Sequence, residues 1–176
     1  MMSIVYIFWM YVILFAIIGV LRGWAKELIV SFSVIFALAL NYTLRLYVAM
    51  VEQLDIKSTE LFWIRISILV VLVYFGYQTV ALIPHLASKS NRERLQDSLF
   101  GAVLGALNGY LIAGTILFYY INDAQYPYPN VIGPPLNNLA SSVQLLMTFM
   151  PPRLLGVPWI YFAAILCAIF VIIVYI

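Results

Sequence analysis

The stretch that decides the fold is LFGAVLGALNGYLIAGTILFYYI, residues 99–121. It carries no charge, and as a helix rising 1.5 Å per residue it reaches about 35 Å, enough to cross the ~30 Å hydrocarbon core of a bilayer. Within it Gly101, Gly105 and Gly109 recur at every fourth position, and Ala113 continues the row. Residues four apart stack on one helix face, so this face is a groove without side chains. Apolar side chains gain little by leaving lipid for one another, and close backbone approach through small residues supplies much of helix association there. The row therefore predicts a helix–helix contact inside a membrane.

The rest of the chain agrees with that setting. Of its 176 residues 65% are hydrophobic and only 9% charged, and the mean hydropathy is +1.05; a soluble domain carries about 25% charged residues. The net charge of +2 is too small and too dispersed for nucleic-acid binding. Cys167 is the single cysteine, which excludes an intrachain disulfide and a cysteine metal cluster.

Working outward, apolar runs place spans at about 3–21, 25–51, 61–83 and 99–121, together a four-helix transmembrane core over 1–126. An unbroken helix from Met1 to Met50 would be about 75 Å long, so the chain must reverse near Arg22–Glu27, where Gly23 can take a left-handed stop. That short turn predicts antiparallel neighbours. Ser58 or Thr59 before Glu60 reads as a helix start, Pro84 as a stop, and the capping-box spacing of Ser90 with Glu93 predicts a short helix that leads into span four. Seven of the eight prolines fall between Pro127 and Pro158, which marks 127–158 as an extramembrane excursion. Inside it, Leu136, Leu139, Ala140, Val143, Leu146, Met147 and Met150 line one face of an amphipathic helix over 136–150, with Asn137, Asn138, Ser141, Gln144 and Thr148 on the other. That helix either lies in the membrane interface or caps its own bundle. Residues 159–176 form an apolar fifth span. The expected fold is thus all-α, a polytopic transmembrane bundle of about five spans plus one amphipathic helix.

Basic residues set orientation. Arg22, Lys26, Lys89, Arg92 and Arg94 cluster in the turns after spans one and three, against Lys57 and Arg153 in the other loops. The N-terminus is then expected outside and the C-terminus inside.

A second small-residue face lies in span one. Gly19-Val20-Leu21-Arg22-Gly23-Trp24 reads like Gly105-Ala106-Leu107-Asn108-Gly109-Tyr110, and with the same orientation the two faces lie at similar depth. Gly19 and Gly23 are expected to meet Gly101 and Gly105. Ionisable residues inside a membrane are functional candidates because they are costly there. Arg22, Lys26, Glu27 and Asp97 form one candidate ion-pair cluster, with Arg22–Asp97 as the expected pair. Arg45 and Arg65 are candidates for snorkelling or for an anion site, with Glu52, Asp55 and Glu60 as partners. Asn108 is either an interhelical hydrogen bonder or a pore-lining group. His85, the sole histidine, is a minor candidate ligand for a pigment-type cofactor. No catalytic constellation, metal site or resident cofactor is expected.

Two of these stretches resemble the colicin V production protein (CvpA) family. Gly19 to Glu27 is similar to its first hairpin, with glycine, Arg-Gly plus an aromatic, then a basic and an acidic residue. Asp97-Ser98-Leu99-Phe100-Gly101-Ala102-Val103-Leu104-Gly105 is similar to its second signature, an aspartate shortly before a glycine-rich fourth helix. The likeness covers about Ser3 to Pro152. Asn108-Gly109 stands where the family usually has a second Arg-Gly, and the fifth span is an added element. The resemblance implies a bacterial inner-membrane protein linked to toxin export, envelope maintenance or biofilm behaviour, without an established molecular activity. The expectation is a non-enzymatic scaffold or accessory subunit, with the bilayer and itself or other membrane subunits as partners. A small oligomeric channel lined by the glycine-rich span and a pigment-associated subunit are the alternatives.

Overall fold

The computed structural model describes residues 4–79, 91–135 and 137–175. It is all-helical over these residues: α1 (Ile4–Arg22), α2 (Trp24–Tyr47), α3 (Ala49–Glu52), α4 (Thr59–Thr79), α5 (Asn91–Phe118), α6 (Asn137–Thr148), α7 (Pro151–Leu154) and α8 (Trp159–Tyr175). Four of them, α1, α2, α4 and α5 with its π-helical extension Tyr119–Asp123, are long and apolar enough to cross a membrane, and α8 is a shorter apolar helix.

Three boundaries differ from the sequence reading. Span two does not run unbroken to residue 51: Val48 is extended at φ −106°, ψ 101°, and the last turn is the separate α3. The fourth span is continuous with the short helix expected before it, since α5 starts at Asn91 and runs without interruption past residue 99. Its Leu95, Leu99 and Phe100 are exposed. The fifth apolar run yields a 17-residue helix, about 26 Å long. Pro84, His85, Lys89 and Ser90 lie outside the described residues. At the start of α4 the Ser58 hydroxyl accepts the Leu61 amide at 3.2 Å, satisfying one of the orphan donors of a helix N-terminus.

The first turn is one residue long. Gly23 sits at φ +85°, a conformation that side chains resist. Although α1 and α2 are antiparallel, α1 packs chiefly along α5, while α2 contacts α4, α5 and α8. So α5 is central and the connected pair is parted by it. Apolar side chains of α1, α4 and α8 such as Ile13, Ile17, Val70, Tyr74, Leu166 and Ile173 stay exposed. An outward apolar surface suits lipid as solvent.

The chain after α5 folds back onto the bundle. The amphipathic stretch packs on its own core, with Val143, Met147 and Met150 buried against Ile4, Phe8, Ala113 and Leu117, while Ser141, Gln144 and Thr148 face outward. Pro151 then enters beside Gly114, where an added Cβ would lie 2.7 Å from the proline ring. Irregular backbone among apolar spans requires its carbonyls to be satisfied by protein. Here the Tyr110 hydroxyl donates to the Phe149 carbonyl, and the Tyr42 hydroxyl donates to that of Pro152 at 2.7 Å. From there α8 returns along α2, with Ile160 beside Leu38 and Tyr120 and Phe170 edge-on to Phe32 at 5.4 Å.

Candidate functional site

Two polar centres lie within the helical bundle, one near the Gly23 turn and one at the opposite end. The first is organised by the crossing of α1 and α5. A Cβ on Gly19 would lie 2.0 Å from the Gly101 carbonyl oxygen; one on Gly101 would lie 2.3 Å from the Gly19 oxygen; one on Gly105 would lie 2.3 Å from the Phe15 oxygen. No side chain fits at such distances, so the two backbones touch. At Gly109 the nearest atoms are the Phe15 Cβ and the Val12 Cα, both at 2.9 Å. Gly23 faces the Asp97 carboxylate, 2.6 Å from an added Cβ, and that carboxylate accepts the Trp24 amide at 3.3 Å. Asp97 on α5 thereby serves the N-terminus of α2, where Gly23 has no side chain to do so.

Glu27 lies one turn into α2 and is fully buried, as is Asn108 on α5. Arg22 donates to Glu27 Oε1 at 2.8 Å. The Asn108 amide donates both to Glu27 Oε2 and to the Glu27 carbonyl, each at 2.8 Å. The Ser31 hydroxyl donates to the Asn108 side-chain oxygen at 2.7 Å, so both oxygens of the carboxylate and both ends of the amide are engaged. Arg22 also lies 4.2 Å from the Tyr77 ring centroid and donates to the Tyr77 carbonyl at 3.2 Å, which ties α4 into the same centre. The expected Arg22–Asp97 pair is therefore corrected: Arg22 turns toward the buried carboxylate, which has greater need of a counter-charge. Lys26 is half-buried.

At the opposite end Arg65 of α4 pairs with Asp123, the last residue of the π-helical extension. Its guanidinium lies 4.8 Å from the Tyr119 ring centroid, and the Asn41 amide donates to its carbonyl at 3.4 Å. None of Glu52, Asp55 and Glu60 is its partner. Those acids are near in sequence, but the extra residue per turn of a π-helix carries Asp123 round to face α4. Arg45 is half-buried and makes no ion pair among the described residues. His85 lies outside the described residues.

Sequence reasoning missed Ser31, Tyr77, Tyr119 and Asp123. Ser31 lies one turn along α2 from Glu27, so the spacing of Glu27 and Ser31 was a usable signal. Nothing local announces the π-helical turn. Chemically, both centres join helices through paired donors and acceptors, although the buried Tyr77 hydroxyl beside the first has no hydrogen-bond partner among the described residues.

No curated protein and no solved structure matches the chain significantly. The Gly19–Glu27 hairpin and the Asp97–Gly109 helix, the two stretches that build the first centre, lie within residues 4–147, over which the chain matches the family model of the colicin V production protein, and the protein is a member of that family.

Proposed function

We propose that this chain is a non-enzymatic scaffold or accessory subunit of a larger membrane assembly. The observation that supports this reading is that Arg22, Glu27, Arg65 and Asp123 pair within the chain, while the glycine face of α5 lies against α1. The polar and small-residue features that would otherwise serve transport or catalysis go into holding the bundle. The glycine contact thus acts inside the subunit, and the outward apolar surface is what remains for partners. The channel alternative needs the Gly101–Gly109 face and Asn108 to be free around an axis, and Asn108 has no exposed surface.

The family and the turn charges favour a bacterial inner membrane with the N-terminus outside and the C-terminus inside. α1 and α8 run in the same direction, both toward the Gly23 end of the bundle, which fits termini on two sides.

Purification in a mild neutral detergent, recording mass and absorption spectrum, tests the proposal. A membrane protein co-purifying in fixed ratio, or a defined self-assembly, is the expected result, with no conductance when the preparation is placed in liposomes under tension. A tension-gated conductance that Asn108→Ala alters overturns it in favour of the channel. Visible absorbance lost in His85→Ala overturns it in favour of a pigment subunit. A C-terminal alkaline phosphatase fusion should be inactive if the orientation is right.

A further inference from the structure

The segment that folds back after α5 borders an open-sided cavity of about 640 Å³ between the π-helical turn, the Pro134–Pro135 stretch, α6 and α7. That volume lies within the range of about 300–1,000 Å³ typical of small-molecule sites. Its walls divide by chemistry. Val143 and Met147 form an apolar floor, and Gln125, Tyr126, Gln144 and Arg153 supply polar groups.

The charge is one-sided. No Asp or Glu follows Asp123 in the sequence, and Arg153 is the sole Lys or Arg after Arg94. Asp123 is already paired with Arg65, and the side chain of Arg153 is exposed, with no ion pair among the described residues. The cavity therefore carries one uncompensated guanidinium, a group whose planar fork of donors fits phosphate and carboxylate oxygens.

The backbone is also unusual here. Gln125 and Tyr126 are consecutive non-glycine residues at φ 50° and 62°, a region that side chains with a Cβ disfavour. They are held by the Tyr126 amide, which donates to the Tyr120 carbonyl at 3.0 Å, and by edge contact of the two rings at 5.9 Å. Strained backbone that the surroundings enforce is found preferentially at binding sites. Burial, and then the nearby Tyr120 phenol, raises the Tyr126 hydroxyl above its ordinary value.

We propose that this cavity binds a phosphate-headed amphiphile, its head on Arg153 with the amides of Gln125 and Gln144, and its apolar part over Val143 and Met147. The site is independent of any assembly partner, since every wall comes from residues 121–153 of one chain. Such a ligand has two sources, an anionic phospholipid of the bilayer or a soluble alkyl phosphate.

Titration of the full chain in neutral detergent with dodecyl phosphate, below its micelle concentration, tests the site. One equivalent should bind, with Arg153→Gln weakening affinity at least tenfold, Arg153→Lys less, and Gln144→Leu a few-fold. Arg94→Gln, an exposed cation on α5 far from the cavity, should change nothing. Arg153 is exposed, so its variants should melt as the wild type does. Native mass spectrometry after extraction from phosphatidylglycerol vesicles separates the sources: retained phosphatidylglycerol that dodecyl phosphate displaces assigns the site to lipid, and dodecyl phosphate binding without retention assigns it to soluble amphiphiles. Equal loss in Arg94→Gln and Arg153→Gln, tight binding of zwitterionic dodecylphosphocholine, or no binding from either source overturns the proposal.

Discussion

At the Gly23 end Arg22 stacks on Tyr77 and bonds Glu27, while at the opposite end Arg65 stacks on Tyr119 and bonds Asp123. The parts are the same, but the surroundings differ. The Glu27 side chain is 0% exposed, whereas those of Arg65 and Asp123 keep 10% and 14%. A carboxylate with no access to water needs every lone pair answered, and Asn108 supplies what Arg22 cannot reach. The outer pair lies at a helix end and needs less. The inner centre also links α1, α2, α4 and α5 around one charge, whereas the outer ion pair joins α4 to the end of α5.

The largest test of this contrast removes one carboxylate at a time. Glu27→Leu should cost about 3–5 kcal/mol, the usual loss when one partner of a buried pair is left behind. Asp123→Leu should cost about 1–3 kcal/mol, because it takes a single charged hydrogen bond from Arg65, whereas loss of Glu27 strips partners from both Arg22 and the fully buried Asn108 amide. Unfolding of both variants in mixed micelles checks this, and equal losses would break the distinction. Adding Arg22→Met to Glu27→Leu should recover part of the loss, because an apolar pair can replace a buried ionic one.

Next in size is the backbone contact that brings the inner centre together. Gly105→Ala should destabilise by about 1–3 kcal/mol through overpacking, since its Cβ would meet a backbone oxygen that cannot swing aside. Gly156→Ala, with nothing nearer than 3.6 Å, should stay within about 0.5 kcal/mol of wild type. If both are silent in thermal melts, the α1–α5 crossing is looser than its geometry.

The smallest effects are neutral hydrogen bonds. Asn108→Leu should cost about 0.6–2 kcal/mol, and Tyr42→Phe, which frees the Pro152 carbonyl, about 0.5–1.5 kcal/mol. The first should raise amide exchange around Glu27 and Ser31, the second around α7. A reversed pattern would mean that the folded-back segment, rather than the inner centre, is the better anchored.

Much of the frame was legible in the chain because its signals are local. Apolar length reports a span, Gly23 reports a one-residue reversal, and the fourfold glycine spacing marks a bare helix face. Pairing was less legible. Arg22 was assigned to Asp97 by proximity of helix ends, yet Glu27 is only five residues away and far deeper. For Arg65 the acids nearby in sequence were the wrong ones, because a π-helical turn re-aims Asp123 without any local mark. The cavity was invisible, since Gln125, Gln144 and Arg153 are ordinary residues of a proline-rich loop until that loop folds back.

By itself, then, the sequence determined that this protein is a membrane helix bundle of roughly this many spans, and which helix faces are small. These follow from hydrophobicity and periodicity, which act along the chain. Only the tertiary structure decided that α2 packs on α4, α5 and α8 rather than along α1, that Glu27 and Asn108 share one buried centre, and that the segment after α5 borders a charged cavity. Those outcomes depend on which faces meet across long separations. A buried charge there takes whichever partner the packing of the helices brings within reach.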